Sequence, residues 1–298
     1  MTFRTRLAAL TVAVASLLGG TALVAVAPVQ AAEIKIQANA PGSESPVVLE
    51  RLTTTEPSQV YASVVIRHPD TPNEALMATV WLGCGTSRPE HYNTFVQNTL
   101  KNTTTTLYPR VVAPAGATCE LQLTVTNGSG PHVGNHVFVT GSAIATHPGT
   151  RFLQGAKPAD MAARRLGVGD RFAVLNPVMT PPVGSLVYAT SDIKVTTCSM
   201  TGGDEGLCGT PDQSGSTVRV RFRAISYDAS GSVCQDLDLA DKEWAIHHLV
   251  HHKMIGSQGS FTVPSCAAKV FLQTLVEVTD GADVVAHKAG GLTTARVA

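Results

Sequence analysis

The sequence predicts a mainly β protein made of two tandem immunoglobulin-like β-sandwich domains, each with a short helix, behind a signal peptide. Three observations support this prediction: a charged and then apolar N-terminus, many short β-branched segments between turns, and a pattern in one half that recurs in the other. Charged residues make up only 15% of the chain, below the roughly one quarter typical of soluble domains. We therefore expect Thr, Ser, Asn and Gln to keep the surface soluble.

The N-terminus has the order of a secretory signal peptide. Arg4 and Arg6 precede a long apolar stretch, Pro28 interrupts it, and Ala31 ends a small-residue cleavage site. We expect residues 1–31 to be removed and the mature chain to be secreted or held at the exterior of a bacterial cell envelope, with no stable membrane insertion. The alternative is an uncleaved anchor, because the apolar stretch approaches the ~20 residues that span a bilayer.

Two stretches of the mature chain contain similar sequence features in the same order. Residues 57–63 (PSQVYAS) recur as 184–190 (GSLVYAT), and each copy later has a cysteine followed by an alternating strand, at 120–127 and at 269–279. This order predicts a duplication. It divides the chain into a signal peptide at 1–31, a first β-sandwich domain at 32–147, a Pro-rich linker at 148–183 and a second β-sandwich domain at 184–298.

The six cysteines of an exported chain favour disulfides over free thiols. The repeat favours three pairs, which are Cys84 with Cys119, Cys234 with Cys266, and Cys198 with Cys208 across a Gly-rich insertion. Six cysteines permit many other connectivities, and these remain open. No pair has the CxxC spacing of a zinc ribbon or a thioredoxin-like site.

Alternation of apolar and polar residues predicts strands at 60–67, 75–82, 105–112 and 217–227. In the last of these, three arginines at every second position indicate a solvated sheet face, with an anion-binding row as the alternative. Short helices are expected at 91–101, 158–166 and 244–253.

One segment, residues 244–253 (WAIHHLVHHK), holds four of the ten histidines. Its apolar residues fall at helical spacing and predict a helix: Ile246, Leu249, Val250 and Met254. The candidate metal ligands lie on the other side of that helix: His247, His248, His251 and His252. On a helix they form i,i+4 pairs that can share a zinc, copper or nickel ion, whereas extended residues four apart lie about 13 Å apart and cannot.

Two other interpretations of the histidine segment remain open. It is a solvated helix face, or it responds to pH, since unperturbed imidazoles have a pKa near 6.5 and gain charge in mild acid. A metalloprotease is not indicated, because Leu249 and Val250 stand where an HExxH motif has its glutamate. We expect no cofactor, with zinc or copper at this segment as the alternative.

No catalytic motif is found in the sequence: there is no GxSxG elbow, SxxK, Walker loop or strand-linked GxGxxG. Equal numbers of basic and acidic residues, 22 each, exclude a nucleic acid as the expected partner. We therefore expect an exported binding or structural protein rather than an enzyme, and its expected partner is an extracellular protein or a glycan. Two alternatives are a metal-dependent or hydrolytic secreted enzyme centred on residues 247–252 and a secreted protease inhibitor that presents loop 198–208.

Overall fold

The computed structural model describes residues 33–40, 45–85, 92–127, 134–156, 163–199, 206–250, 252–287 and 291–298. Within these ranges the chain forms twenty β-strands and no helix. The expected signal peptide at 1–31 lies outside them. Among the residues described, no helix has the length and hydrophobicity that a membrane span requires.

The first half of the described chain, residues 33–148, forms nine antiparallel strands. Their bounds are β1 (Ile34–Gln37), β2 (Val47–Thr53), β3 (Ser58–His68), β4 (Ala75–Cys84), β5 (Tyr92–Leu100), β6 (Thr103–Leu107), β7 (Arg110–Ala113), β8 (Thr118–Thr126) and β9 (His136–Pro148). Sheet A has the order β1-β9-β3-β6, with β7 also paired to β3, and sheet B has the order β2-β8-β4-β5.

The second half, residues 151–298, forms the remaining strands. Their bounds are β10 (Arg151–Ala156), β11 (Arg164–Leu166), β12 (Arg171–Leu175), β13 (Val178–Met179), β14 (Leu186–Thr197), β15 (Ser216–Tyr227), β16 (Val233–Ile246), β17 (Lys253–Thr262), β18 (Lys269–Gly281), β19 (Val284–Ala286) and β20 (Leu292–Val297). Sheet C has the order β10-β20-β14-β19-β11, with β17 paired to β14, and sheet D has the order β12-β18-β15-β16, with β13 paired to β18.

The two halves share one strand order. In sheet A, β1, β9 and β3 are followed by β6 and β7; in sheet C, β10, β20 and β14 are followed by β17. In sheet B the order β2-β8-β4-β5 matches the order β12-β18-β15-β16 of sheet D. The second half adds the short strands β11, β13 and β19. Each half is thus a pair of antiparallel sheets with the same connectivity.

Alternating side chains of the strands build the apolar cores. Val60, Val64 and Ile66 of β3 are fully buried, and so are Val218 and Phe222 of β15. Such alternation is the mark of a strand with one face against a core.

The cores also join the halves. Met254 of β17 is buried in the apolar cluster of the first half, and Leu100 of β5 packs against a cluster of the second half. Next to them, the amide N–H of Asn98 donates to the carbonyl oxygen of His252 at 3.0 Å. Each half therefore inserts one apolar side chain into the core of the other.

The described part of segment 148–183 is not a linker. It contains β10, β11, β12 and β13, which pair with β20, β19 and β18 of sheets C and D. Val174 and Leu175 of β12 are buried in the second half. Pro177, Pro181 and Pro182 lie outside the strands, where their missing N–H removes no ladder hydrogen bond. Pro148 is the last residue of β9, and Pro158 lies outside the described ranges.

The prediction of helices at 91–101 and 244–253 was wrong. Residues 92–100 form β5, and Ile246 ends β16 while Lys253 begins β17 after a turn. The helical spacing of the apolar residues is accidental, because Ile246 packs in a second-half core and Met254 in the first-half core. Of the third expected helix, residues 164–166 are strand β11 and residues 158–162 lie outside the described ranges.

Three disulfides join the cysteines in the pairs that the repeat favours. Cys84–Cys119 links paired residues of β4 and β8, Cys234–Cys266 links β16 to the loop before β18, and Cys198–Cys208 closes the insertion. The first bridge is buried, whereas the cysteines of the second are exposed. Structural disulfides are typical of proteins that fold in oxidising compartments outside the cytosol.

Candidate functional site

The structure places the predicted histidine ligands in and beside the turn between β16 and β17. The rings of His247 and His248 stack with centroids 4.2 Å apart, and the amide N–H of Leu249 donates to His247 Nδ1 at 3.2 Å. The carbonyl oxygen of His248 accepts the hydroxyl of Ser199. His251 lies outside the described residues.

His252 has different neighbours. Its Nδ1 lies 3.1 Å from Thr196 Oγ1, and the same hydroxyl lies 2.6 Å from Nε2 of the buried His287. The i,i+4 geometry on which the zinc or copper prediction depends is absent, because the segment is a turn between strands. Within the described ranges, no three His, Cys, Asp or Glu side chains are grouped so that they could hold a metal ion.

The arginines of β15 face acids on β16. Arg219 Nη2 lies 2.5 Å from Asp241 Oδ2 and Arg221 Nη2 lies 2.8 Å from Asp238 Oδ2. Arg223 pairs with Asp236 in the same way. The row is a charge-balanced ladder, which agrees with a solvated sheet face and leaves no unpaired guanidinium for an anion.

A cleft of about 730 Å³ lies between the halves. Residues of β5 and β6 line it from the first half, and residues of β16 and β17 line it from the second. Each of these strands pairs on one side only within its sheet. The cleft is therefore the place where the edges of all four sheets meet.

A buried ion pair forms the floor of this cleft. Arg110, at the start of β7, and Asp192, within β14, have side chains only 9% and 2% exposed, and Arg110 Nη1 lies 3.6 Å from Asp192 Oδ1. Arg110 Nη1 also donates to the carbonyl oxygen of Ser257 at 3.5 Å. Among the described residues, Arg110 Nε and Asp192 Oδ1 have no hydrogen-bond partner. A buried pair with unfilled donors and acceptors is costly to the folded state, so its retention at a cleft points to a ligand.

Glycine at position 256 leaves room for the buried carboxylate of Asp192. Gly256 faces Asp192 across the β14–β17 pairing. A Cβ atom at Gly256 would lie 2.9 Å from Asp192 Oδ1 and 3.9 Å from Arg110 Nη2. A side chain here would therefore crowd the buried pair.

Burial sets the electrostatics of the cleft. It raises the pKa of Asp192 to about 6, against the opposing effect of the Arg110 cation. Burial also lowers the pKa of Lys253, at the start of β17. Both shifts arise from removal of the charged group from water.

The walls combine aromatic rings with short polar side chains. Tyr108 is 52% exposed, and Lys242 Nζ lies 4.4 Å from the centroid of the Trp244 ring. The polar lining is contributed by Gln97, Thr104, Thr105, Thr106, Ser257 and Gln258. An aromatic surface with a few convergent polar groups is characteristic of ligand-binding clefts.

A second groove, of about 630 Å³, lies beside the Cys84–Cys119 disulfide. Trp81 lines it and lies over Gly83, where a Cβ atom would meet the indole ring at 2.2 Å. Glu120 is the acid of this lining, and Arg51 Nε donates to it at 2.8 Å. The groove therefore lacks the unfilled buried charges that distinguish the cleft.

The sequence analysis did not identify Arg110, Asp192 or Gly256. One signal was present: Asp192 is the single acid of a strand whose other residues, apart from Lys194, are apolar or hydroxyl-bearing (LVYATSDIKVTT). A buried acid needs a partner or a function. The partner, Arg110, is in the other half of the chain, and the sequence gives no indication of that contact.

No protein-family model matches the chain, and no curated protein matches it. Among solved structures, the chain is similar to the infectious bursal disease virus VP2 subviral particle at 9% identity, over 88% of this chain and 75% of that chain, with a TM-score of 0.33. It is similar to the tandem CBM22-1-CBM22-2 domains of Paenibacillus barcinonensis Xyn10C at 12% identity, over 86% and 92%, with a TM-score of 0.26. It is similar to PNGF-II at 7% identity, over 89% and 65%, with a TM-score of 0.37. Similarities at these scores carry no argument about function.

Proposed function

We propose that this chain is an exported binding protein whose halves are two tandem β-sandwich domains of immunoglobulin-like size, and that a glycan binds in the cleft between them. The matching strand orders of the two halves support the tandem organisation. The three disulfides support export, to the cell exterior or its envelope surface, as does the signal-peptide pattern of residues 1–31.

The observation that carries the proposal is the unfilled hydrogen-bonding capacity of Arg110 and Asp192. A carboxylate only accepts hydrogen bonds and a guanidinium only donates them, whereas a hydroxyl does both. Both atoms are shielded from solvent in the structure, so a sugar whose hydroxyls donate to Asp192 Oδ1 and accept from Arg110 Nε would first displace the groups that cover them. Hydrogen bonds to charged groups are about twice as strong as neutral ones. The exposed ring of Tyr108 offers a flat apolar surface to the other side of such a ligand.

The size of the cleft favours a glycan over an extracellular protein. Its volume of about 730 Å³ lies within the range of about 300–1,000 Å³ that holds small ligands. A stable protein partner would need an interface of at least about 1,000 Å². Binding is favoured over hydrolysis, since Asp192 is the one acid among the described residues of the lining and most glycosidases use two carboxyl groups.

Neither of the alternative functions gains support from a described contact. The enzyme centred on residues 247–252 required a helix, and that segment is a turn flanked by strands. The inhibitor required a presented loop at 198–208, of which residues 200–205 lie outside the described ranges. That function stays a prediction.

The proposal is tested with a tryptophan reporter. The chain has two tryptophans, so Trp81→Phe leaves Trp244 in the cleft as the single reporter. A panel of oligosaccharides is titrated into this protein, and the emission of Trp244 is followed. We expect saturable changes with at least one saccharide, and affinity that is about tenfold or more weaker in Asp192→Asn, because a hydrogen bond to a charged group contributes about 1.5–3 kcal/mol.

Glu277→Gln provides the matched control. It also changes an acid into an amide, but Glu277 pairs with Arg171 on the exposed face of sheet D, outside the cleft. The control should bind like the parent protein. If no saccharide changes the emission, or if Asp192→Asn binds as tightly as Glu277→Gln while both keep the parent melting temperature, the proposal is wrong.

A further inference from the structure

The cleft contains more positive than negative charge. Of the described residues that line it, three are basic, namely Arg110, Lys242 and Lys253, and one is acidic, namely Asp192. Asp192 already faces Arg110. Within the described lining, the two lysines are therefore an excess of cations beside a charge-balanced pair.

Neither lysine has an acidic partner among the described residues. Other cations of the chain do: Lys101 Nζ lies 2.9 Å from Asp70 Oδ1, and the three arginines of β15 each face an aspartate. Lys242 instead holds its ammonium over the Trp244 ring. Lys253 is half-buried, and loss of solvent lowers its pKa without an acid to oppose the shift.

Both lysines line the same cleft as the Arg110–Asp192 pair. Lys253 begins β17, the strand that also carries Gly256, and Lys242 lies on β16 on the same wall as Trp244. A partly buried lysine without a counter-ion is unfavourable, and an anion supplied by a ligand removes that penalty.

We infer that the glycan held in this cleft is acidic, and that Lys253 and Lys242 bind its anionic group. The inference rests on the proposed function and narrows it to one class of saccharide. A carboxylate of a uronic acid and a sulfate ester share the required chemistry, since both accept hydrogen bonds from an ammonium and carry negative charge.

The test compares three oligosaccharides of equal length: a polyuronate, a sulfated sugar and a neutral sugar. Each is titrated into the full chain carrying Trp81→Phe, with Trp244 emission as the readout and calorimetry as a second measurement. We expect at least one acidic saccharide to bind about tenfold or more tighter than the neutral one. The difference should shrink as salt is raised, because exposed charge interactions are screened.

Two substitutions connect this preference to the lysines. Lys253→Met and Lys242→Met keep the length of the side chain and remove its charge, and each should reduce affinity for the acidic saccharide about fivefold or more, and by a larger factor than affinity for the neutral one. Lys253→Arg, which keeps the charge, should restore binding. Lys269→Met, at a cation near Tyr227 and outside the cleft, is the control.

The possible failures are distinguishable. Equal affinity for acidic and neutral sugars overturns this inference and leaves the proposed function intact. So does an acidic preference that survives both Lys253→Met and Lys242→Met in variants with the parent melting temperature. Absence of binding by all three classes and by the wider saccharide panel overturns the proposed function and this inference together.

Discussion

The two halves of the molecule repeat one strand order but differ most at the strands that face each other. β5 of the first half has the sequence YNTFVQNTL and no charged residue, whereas its counterpart β16 reads VCQDLDLADKEWAI and carries a series of acids with Lys242. Both strands are edges of their sheets. An edge strand can change its side chains with little effect on the core, so Lys242 and Trp244 of β16 have no charged or indole-bearing counterpart on β5, whereas the Arg110–Asp192 pair lies on β7 and β14.

The disulfides differ between the halves in a related way. Cys84–Cys119 joins two paired strands inside the first half, and both cysteines are buried. Cys234–Cys266 ties the edge strand β16 to a loop at the surface of the second half. The first bridge is part of the core, whereas the second fastens a wall of the cleft.

Removal of each bridge measures this difference and has the largest expected effect. The closed segments are 35 and 32 residues long, so the chain-entropy model gives each bridge about 4 kcal/mol. Cys84→Ala with Cys119→Ala should cost more than Cys234→Ala with Cys266→Ala, because it also leaves a cavity in the core. Chemical denaturation of the two double variants provides the free energies of unfolding.

The insertion bridge is the internal standard for that comparison. Cys198–Cys208 closes only 10 residues, and its removal should cost about 3 kcal/mol. A loss in the Cys234/Cys266 variant that exceeds the loss in the Cys84/Cys119 variant would contradict the assignment of the first bridge to the core.

The sequence predicted most strands because their physical signal is local. Alternation at 217–227 corresponds to β15 at Ser216–Tyr227, and alternation at 75–82 corresponds to β4 at Ala75–Cys84. The segment 105–112, predicted as one strand, is divided between β6 and β7 at Tyr108 and Pro109. Proline cannot donate to a ladder, and this break places the exposed Tyr108 at the cleft.

The sequence failed where partners are distant along the chain. β16 has no regular burial alternation, because it is an edge strand, and the helix prediction followed from apolar residues that belong to different cores. Arg110 is unremarkable within its own segment, and Asp192 stands out only as the single acid of its strand. Their significance arises from a contact between halves, which periodicity does not report.

Substitution of Arg110 tests whether the Arg110–Asp192 pair couples the two halves. Its effect on the free energy of unfolding is expected to be the second largest. Arg110→Met leaves the buried carboxylate of Asp192 without its cation, and we expect a loss of about 3 kcal/mol at pH 7. The loss should be smaller at pH 5, because the pKa of Asp192 is already about 6 and the protonated acid needs no cation. Urea denaturation at both pH values measures this difference.

Arg171→Met is the control for the buried pair. Arg171 forms an exposed pair with Glu277 and should lose at most about 1 kcal/mol, independently of pH over this range. In the parent protein, the raised pKa of Asp192 means that its contribution to stability is present below about pH 4 and is lost as the pH rises through about 6. A loss in Arg110→Met that is the same at pH 5 and pH 7 would show that the carboxylate is not the source.

The smallest expected effect is at His68, in the first half. Its contribution to stability changes with pH in the opposite direction to that of Asp192. His68 is fully buried, its Nδ1 lies 2.9 Å from the carbonyl oxygen of Thr99, and its Nε2 lies 2.7 Å from the hydroxyl of Thr71. Because a carbonyl oxygen only accepts, Nδ1 carries the proton and Nε2 accepts from Thr71. Burial lowers the pKa of His68, so the folded state binds a second imidazole proton less readily than the unfolded chain does.

The stability that depends on neutral His68 is therefore present above about pH 6.5 and is lost as the pH falls below that value, by at most about 1.4 kcal/mol per pH unit for one proton. His68→Gln should have a lower free energy of unfolding at pH 7 but a shallower decline towards pH 5 than the parent protein. A His68→Gln slope equal to that of the parent would mean that acid acts on the first half through another group, and the contrast with Asp192 would then not be a difference between the halves.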